Sequence, residues 1–125
     1  MAVVLDSSAV VAVLQSEPGA DVVLRKLSDS VICSVNASEA IRVVMRKGAT
    51  LAHATNILSH LFLPVVPFGY EDAILAAEIG TQHQHLSFGD CACIALARRE
   101  SASEVLTADR IWADMKLGVK VTLIR

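Results

Sequence analysis

The sequence predicts an α/β fold in three layers, with helices on both faces of a mostly parallel central sheet of about five strands. Short runs rich in valine and leucine alternate along the chain with longer segments of helical periodicity. These runs are apolar throughout, which is typical of strands that are covered on both faces. No repeat or long linker interrupts the 125 residues, so we expect a single domain over residues 1–125.

The strands are predicted where short apolar runs end at polar or turn-forming residues. They fall at residues 3–5, 31–34, 65–68, 104–107 and 121–124. The intervals between them carry helical patterns, at residues 8–15, 17–29, 36–48, 50–62, 71–80 and 88–99, and a helical turn carries Ile111 and Trp112. Strands that alternate with helices in this way favour a parallel sheet, because parallel neighbours need a crossover connection.

Capping residues support the helices in the first half of the chain. Ser7 or Ser8 can cap the helix that follows the first strand. Pro18 stands at an early position of the next helix, where its missing N–H costs little. After the second strand, Asn36 is the predicted cap of a helix and Gly48 its predicted stop.

The helices of the second half are supported mainly by periodicity. Residues 50–62 are amphipathic, because leucines at positions 51, 58 and 61 and Ala54 recur at helical spacing. The helix at 88–99 is entered through Ser87, a residue that often begins helices. These elements complete the alternation of strands and helices that predicts the fold class.

Composition excludes several classes of protein. Eleven basic and 13 acidic residues give a net charge of −2, which excludes a strongly basic protein that binds nucleic acid by bulk electrostatics. No apolar stretch approaches the ~20 residues of a spanning helix, and no basic segment precedes the apolar N-terminus, so neither a membrane span nor a signal peptide is expected. Cys33, Cys91 and Cys93 lack zinc-site spacing and are expected to be reduced thiols in a cytoplasmic protein.

Four acidic residues are predicted to lie at one edge of the sheet. Asp6 ends the first strand, and Asp109 follows the fourth. Glu39 and Asp90 each lie in the first turn of a predicted helix. Because helix N-termini and strand carboxyl ends share an edge in a parallel α/β sheet, the four carboxylates can converge on one pocket.

Each acid also has a purely structural interpretation. Asn36 and Glu39 fit a variant of the capping box, and Ser87 and Asp90 fit the same arrangement less well. The two aspartates that follow strands could be simple N-caps. Capping does not require four acids to share an edge, so their joint placement favours a common site.

Four converging carboxylates repel one another. Two unit charges about 5 Å apart repel by roughly 3 kcal/mol at an effective dielectric constant near 20. No lysine is adjacent to any of the four acids, and Arg110 alone cannot neutralise them. A hard divalent cation, Mg²⁺ or Mn²⁺, has the required preference for oxygen ligands. Such a site suits phosphodiester hydrolysis.

Two arginines extend this hypothesis toward RNA. Arg42 and Arg46 follow Glu39 on its predicted helix and could contact RNA phosphates at the rim of the pocket. Alternatively, they form only a solvated helix C-terminus, where the helix dipole favours cations.

Five stretches of the sequence resemble a known family in their order and spacing. They are LDSSAVVAVLQSEPGA, SVNASEAIRVV, LPVVPFGYEDAILAAE, LSFGDCACIALA and VLTADRIWA. Together they resemble a PIN-domain ribonuclease of the VapC toxin type over nearly the whole chain. The resemblance implies a PIN-like fold. It also implies that the acids at positions 6, 39, 90 and 109 are the metal-binding and catalytic set, with the hydroxyls of Ser7 and Thr107 beside them.

The same resemblance implies an activity and partners. PIN toxins are Mg²⁺- or Mn²⁺-dependent endoribonucleases that cut structured RNA, often tRNA or ribosomal RNA. They are commonly homodimers, and a cognate antitoxin inhibits them by reaching into the acidic groove. The alternative is a non-catalytic PIN-like module that binds RNA or protein. A phosphotransfer receiver is a poor match, because Asp6 is followed by two serines where a receiver needs an acid pair.

Overall fold

The computed structural model describes residues 2–125 and contains one sheet of five parallel strands. Their spatial order is β3-β2-β1-β4-β5, so β1 lies at the centre and pairs with β2 and β4. The strands are β1 Val3–Leu5, β2 Ser30–Cys33, β3 Val65–Val66, β4 Glu104–Thr107 and β5 Val121–Leu123. The predicted number of strands is confirmed, and the sheet is parallel throughout.

Within residues 2–125, six α-helices connect or flank the strands. They are α1 Ser7–Leu14, α2 Ala20–Lys26, α3 Ser34–Arg46, α4 Leu51–Ser59, α5 Tyr70–Gln82 and α6 Phe88–Arg99. Short 3₁₀ segments span Leu27–Asp29 and Arg110–Asp114. None of the helices in residues 2–125 is both long and apolar enough to cross a membrane.

The sheet separates two apolar cores, which confirms the three-layer architecture. Successive side chains of a strand point to opposite faces, and in β1 Val4 belongs to one core while Val3 and Leu5 belong to the other. Helices α5 and α6 supply most of the first core, whereas α1, α2 and α3 supply most of the second. The three cysteines are buried and free, as expected.

Three helix starts differ from the prediction. Helix α1 is capped by Asp6, whose Oδ1 accepts a hydrogen bond from the Ala9 amide at 3.0 Å, and not by Ser7 or Ser8. Helix α2 begins at Ala20, behind Gly19, because Gly19 has a φ of +97° and passes close to the backbone of Ile124.

The third difference concerns the helix that carries Glu39. Because β2 leads directly into α3, with Cys33 as the cap, Asn36 lies inside the helix and is not its N-cap. At the other end, Gly48 follows the last helical turn with a φ of +109°, which confirms the predicted stop.

Candidate functional site

The candidate site lies at the carboxyl edge of the parallel sheet. Because all five strands run in the same direction, β1 and β4 end at this edge, and α1 and α6 begin there. Asp6 directly follows β1, Asp109 lies two residues after β4, and Asp90 is the third residue of α6. The fold therefore brings acids that are distant in sequence to the same edge.

Asp6 is the most buried of the four acids, with 5% of its surface exposed. Its Oδ1 accepts hydrogen bonds from the Ser8 hydroxyl at 2.6 Å and from the Ala9 amide at 3.0 Å. Its Oδ2 accepts a 2.6 Å hydrogen bond from the Thr107 hydroxyl. These neutral donors hold the carboxylate in one orientation, and none of the cationic side chains that the structure describes forms an ion pair with it.

Thr107 connects Asp6 to Asp109. While its hydroxyl donates to Asp6, its Oγ1 accepts a hydrogen bond from the Asp109 amide at 3.0 Å. The Asp109 side chain caps the following 3₁₀ segment through the Ile111 amide at 3.1 Å. That bond uses Oδ1, and Oδ2 of Asp109 has no hydrogen-bond partner among residues 2–125.

The electrostatics of the site show that the acids influence one another. Burial, with a smaller contribution from the charge of Asp90, raises the pKa of Asp6 from its usual 3.8 to about 6 against the lowering effect of its hydrogen bonds. Burial also raises the pKa of Asp90, to which the charges of Asp109 and Glu39 contribute. Asp90 is thus electrostatically linked to all three other acids.

Glu39 reaches this edge from α3. It lies in the second turn of that helix, because α3 starts at Ser34, and the first-turn position predicted for it is wrong. The Asn36 Nδ2 donates to Glu39 Oε1 at 2.9 Å and to the carbonyl oxygen of Gly89 at 3.0 Å. A Cβ at Gly89 would overlap the Glu39 carboxylate. Glycine is therefore needed where α3 and α6 approach.

The capping box forms at the start of α6, whereas the sequence fitted it better at Asn36 and Glu39 on α3. Ser87 Oγ accepts from the Asp90 amide at 3.1 Å, and Asp90 Oδ2 accepts from the Ser87 amide at 3.0 Å. No such pair forms at Asn36 and Glu39, because both are interior residues of α3. Asp90 therefore stabilises the start of α6 and also belongs to the acidic set.

The charge of the four acids is not compensated within the described part of the chain. Every ion pair in residues 2–125 uses another carboxylate; the acids concerned are Glu17, Asp21, Asp72, Glu100 and Glu104. No group of three or more histidine, cysteine, aspartate or glutamate side chains among these residues is placed to hold a metal ion. Mg²⁺ commonly uses only one or two carboxylates together with water and substrate phosphates, so the oxygen donors present fit it.

Two of the hollows in residues 2–125 adjoin Glu39, and Arg42 also lines both of them. The larger, about 440 Å³, extends to Phe88 at the start of α6. The smaller, about 190 Å³, extends to Ser7 and Arg46. The two predicted arginines thus lie beside Glu39, along one face of α3.

Two residues of the site were not recognised in the sequence. Ser8, not Ser7, supplies the hydroxyl that contacts Asp6, and it also accepts from the Ala108 amide at 2.9 Å. Asn36 was interpreted as a helix cap but joins Glu39 to Gly89. The pair of serines after Asp6 was a visible signal for Ser8, whereas the role of Asn36 depends on the packing of α3 against α6.

Comparison with known proteins places the chain among PIN domains. The family model described as PIN domain matches residues 3–117, while no curated protein matches the sequence significantly. Among solved structures, the chain is similar to a toxin–antitoxin complex from Klebsiella pneumoniae, with a TM-score of 0.77, 14% identity, and coverage of 99% of this chain and 98% of that chain.

Two further structures share the fold. One is VapBC2 from Rickettsia felis bound to a DNA fragment from its promoter, with a TM-score of 0.76, 14% identity and 98% coverage of both chains. The other is VapC20 from Mycobacterium tuberculosis, described as a toxin that cleaves the sarcin–ricin loop, with a TM-score of 0.67 and 15% identity, covering 83% of this chain and 87% of that chain.

Proposed function

Because the chain belongs to the PIN-domain family, we propose that it is a metal-dependent endoribonuclease and the toxin of a VapC-type toxin–antitoxin pair. The observation that carries the proposal is the set of carboxylates at the carboxyl edge, which no cationic side chain of residues 2–125 neutralises. We treat residues 1–125 as a single PIN domain that acts in the cytoplasm.

The proposed cofactor is Mg²⁺ or Mn²⁺. Asp6 and Asp90 would be its two direct ligands, Asp109 would support the site through bound water, and Glu39 would bind through water or orient the attacking water. A bound divalent cation supplies charge neutralisation at the phosphoryl oxygens and makes water more acidic. The hydrogen bonds from Ser8 and Thr107 keep Asp6 oriented for this role.

The proposed substrate is structured RNA, either tRNA or ribosomal RNA. Arg42 and Arg46 lie along the face of α3 that also carries Glu39, where they would contact phosphates on either side of the scissile bond. The similarity to a toxin that cleaves the sarcin–ricin loop supports this substrate class.

The proposed partners are a cognate antitoxin and a second copy of the chain. Structural neighbours from two organisms are toxin–antitoxin complexes, which supports the first partner. Large apolar side chains are exposed on α2, on α5 and after α4, among them Leu24, Phe62, Tyr70 and Ile74. Such side chains are available for protein contacts. Light scattering of the purified chain measures whether it is a homodimer.

The activity is tested by incubating total cellular RNA with the purified chain and Mg²⁺ or Mn²⁺. We expect cleavage that EDTA abolishes and that Asp6→Asn and Asp90→Asn each reduce by at least about 100-fold, the scale of losing one electrostatic stabiliser. The matched control is Asp21→Asn, which makes the same chemical change in an exposed ion pair on α2. A smaller loss in both site variants, or an equal loss in the control, contradicts the assigned roles.

A non-catalytic PIN-like module that binds RNA or protein is the competing function. It is favoured by the lack of a ready three-ligand metal cluster in residues 2–125. Calorimetric titration with Mn²⁺ separates the two functions. The nuclease should bind the ion with a stoichiometry of at least one, and Asp90→Asn should weaken binding, whereas the module should bind none.

A further inference from the structure

An exposed aromatic side chain stands beside the acidic set. Phe88 is the first residue of α6, two positions before Asp90, and 62% of its surface is exposed. The rings of Phe88 and the half-buried Phe68 pack in a T-shaped arrangement, with centroids 5.5 Å apart and an angle of 80° between the rings. This contact restricts the orientation of the Phe88 ring while most of the residue remains open to solvent.

The hollow next to Phe88 combines this ring with polar groups. Its volume of about 440 Å³ lies within the range of small-ligand sites. Besides Phe88, the residues that line it include Ser38 and Ser87, which carry hydroxyls, and the charged residues Arg42 and Glu39. Arg42 forms no ion pair within residues 2–125, so its charge is available to a ligand.

These groups match the parts of a single nucleotide. An aromatic face stacks on a base of any sequence, and a guanidinium binds a phosphate. Hydroxyls and a carboxylate can make hydrogen bonds with the base edge or the ribose. Because Glu39 lines both this hollow and the one that continues toward Arg46, a strand of RNA lying along α3 would pass Glu39 and reach Phe88.

We propose that the hollow between α3 and the start of α6 is a nucleotide subsite, in which an unpaired base of the RNA substrate stacks on Phe88 while Arg42 binds its phosphate. A base within a duplex has its faces covered by neighbouring pairs, so only an unpaired or extruded base can stack in this way. The inference rests on the proposed ribonuclease function and adds to it the two residues, Phe88 and Arg42, that would hold an unpaired nucleotide of the substrate.

The test measures binding separately from cleavage. Fluorescein-labelled single-stranded RNA octamers are titrated, by fluorescence anisotropy in Mg²⁺, against the full chain carrying Asp6→Asn to prevent cleavage. Adding Phe88→Ala should weaken binding about 5- to 150-fold, the range for one lost base–aromatic stack. Phe88→Tyr should bind within about twofold of the parent, because tyrosine also presents an aromatic face. Phe88→Leu should behave like the alanine variant, because it restores apolar volume but no aromatic face.

Octamers with a single abasic site identify the stacked base. In the parent, one abasic position should reproduce the loss caused by Phe88→Ala, and in the Phe88→Ala variant the same abasic site should cause no further loss. The inference is overturned if Phe88→Ala binds like the parent, or if Phe88→Leu binds as well as Phe88→Tyr. Circular dichroism and thermal melting check that all variants are folded. Because Phe88→Tyr does not truncate the side chain, its binding tests the aromatic face without a risk of unfolding.

The two proposals fail in different ways. If the wild-type chain cleaves RNA but Phe88→Ala leaves octamer binding unchanged, the subsite is wrong and the ribonuclease remains. If the wild-type chain cleaves nothing, yet binding depends on Phe88 as described, the nuclease is wrong and the base-stacking site remains.

Discussion

Two aspartates, Asp6 and Asp72, are equally buried, each with 5% of its surface exposed, yet their surroundings act on them in opposite directions. Asp72 accepts hydrogen bonds from Arg99 at 2.6 and 3.4 Å and from the Gly69 amide at 3.0 Å. Burial alone would raise its pKa, but the amide and the guanidinium outweigh burial and lower that pKa. Asp6 receives only neutral donors, and burial raises its pKa to about 6.

The difference separates a structural carboxylate from one suited to bind a cation. The Asp72–Arg99 pair joins the first turn of α5 to the end of α6, and its charges compensate each other. Around Asp6 the nearest charges are carboxylates, with Asp90 raising its pKa. A buried acid left without a cation destabilises the fold unless a ligand supplies one. Asp6 is therefore the position where an added cation should have the largest effect.

The largest expected effect is the stabilisation of the fold by a divalent ion, which should depend on Asp6 and not on Asp72. At an Mn²⁺ concentration 100 times its dissociation constant, the free energy of unfolding should rise by about 2.7 kcal/mol, which corresponds to an increase in Tm of about 10 °C for a domain of this size. Asp6→Asn should lose most of this increase, while Asp72→Asn should keep it despite a lower starting Tm. Differential scanning fluorimetry measures both, and equal increases in the two variants would contradict the comparison.

Removing the Asp72–Arg99 ion pair should change the stability by a smaller amount than the addition of Mn²⁺. Asp72→Asn should reduce the free energy of unfolding by about 2 kcal/mol, from the weakened cap of α5 and the lost ion pair, whose contribution is limited because more than a third of Arg99 is exposed. Urea denaturation measures the loss.

The pH dependence of this pair has a defined sign. Because folding lowers the pKa of Asp72, its stabilisation is complete above the usual value of 3.8 and is lost as the pH falls through the lower folded value. The gap between the wild type and Asp72→Asn should therefore close at acidic pH. A gap that persists at pH 2 would assign the loss to packing and not to the carboxylate.

Neutralising Asp6 should have the smallest effect on the free energy of unfolding, and it should increase stability where the loss of the Asp72–Arg99 pair decreases it. Without metal at pH 8, Asp6→Asn should increase the free energy of unfolding by about 1.5 kcal/mol. That is half of the roughly 3 kcal/mol implied by the raised pKa, because the amide loses the charge-assisted character of the bonds from Ser8 and Thr107.

The pH profile of Asp6 should run opposite to that of Asp72. A raised folded pKa contributes stability that is complete below 3.8 and lost as the pH rises through about 6. The advantage of Asp6→Asn should accordingly appear between pH 4 and 7 in metal-free urea denaturation. A variant that is less stable than the wild type at pH 8 would show that the ionised form of Asp6 stabilises the fold.

Much of the fold could be predicted because its strands are short, continuous apolar runs. VVL before Asp6 and EVLT before Ala108 had no competing interpretation, since a segment buried on both faces needs no alternation. Helix starts were less predictable. Asn36 has the chemistry of a cap, but β2 passes into α3 two residues earlier, and its amide bonds to Glu39 and Gly89 instead. The capping box at Ser87 has aspartate at the third helical position, where the standard box has glutamate or glutamine, and it forms nonetheless.

The sequence by itself determined the order of strands and helices and placed Asp6, Asp90 and Asp109 at their ends, because apolar periodicity and local spacing are properties of neighbouring residues. Only the tertiary structure decided which acids are compensated. The Asp72–Arg99 pair spans 27 residues and the Asp6–Thr107 hydrogen bond spans 101. The pKa of each carboxylate depends on its burial, on its hydrogen-bond donors and on the distance to the next charge. These surroundings form only when the fold brings β1 beside β4 and α6 beside α3 and α5.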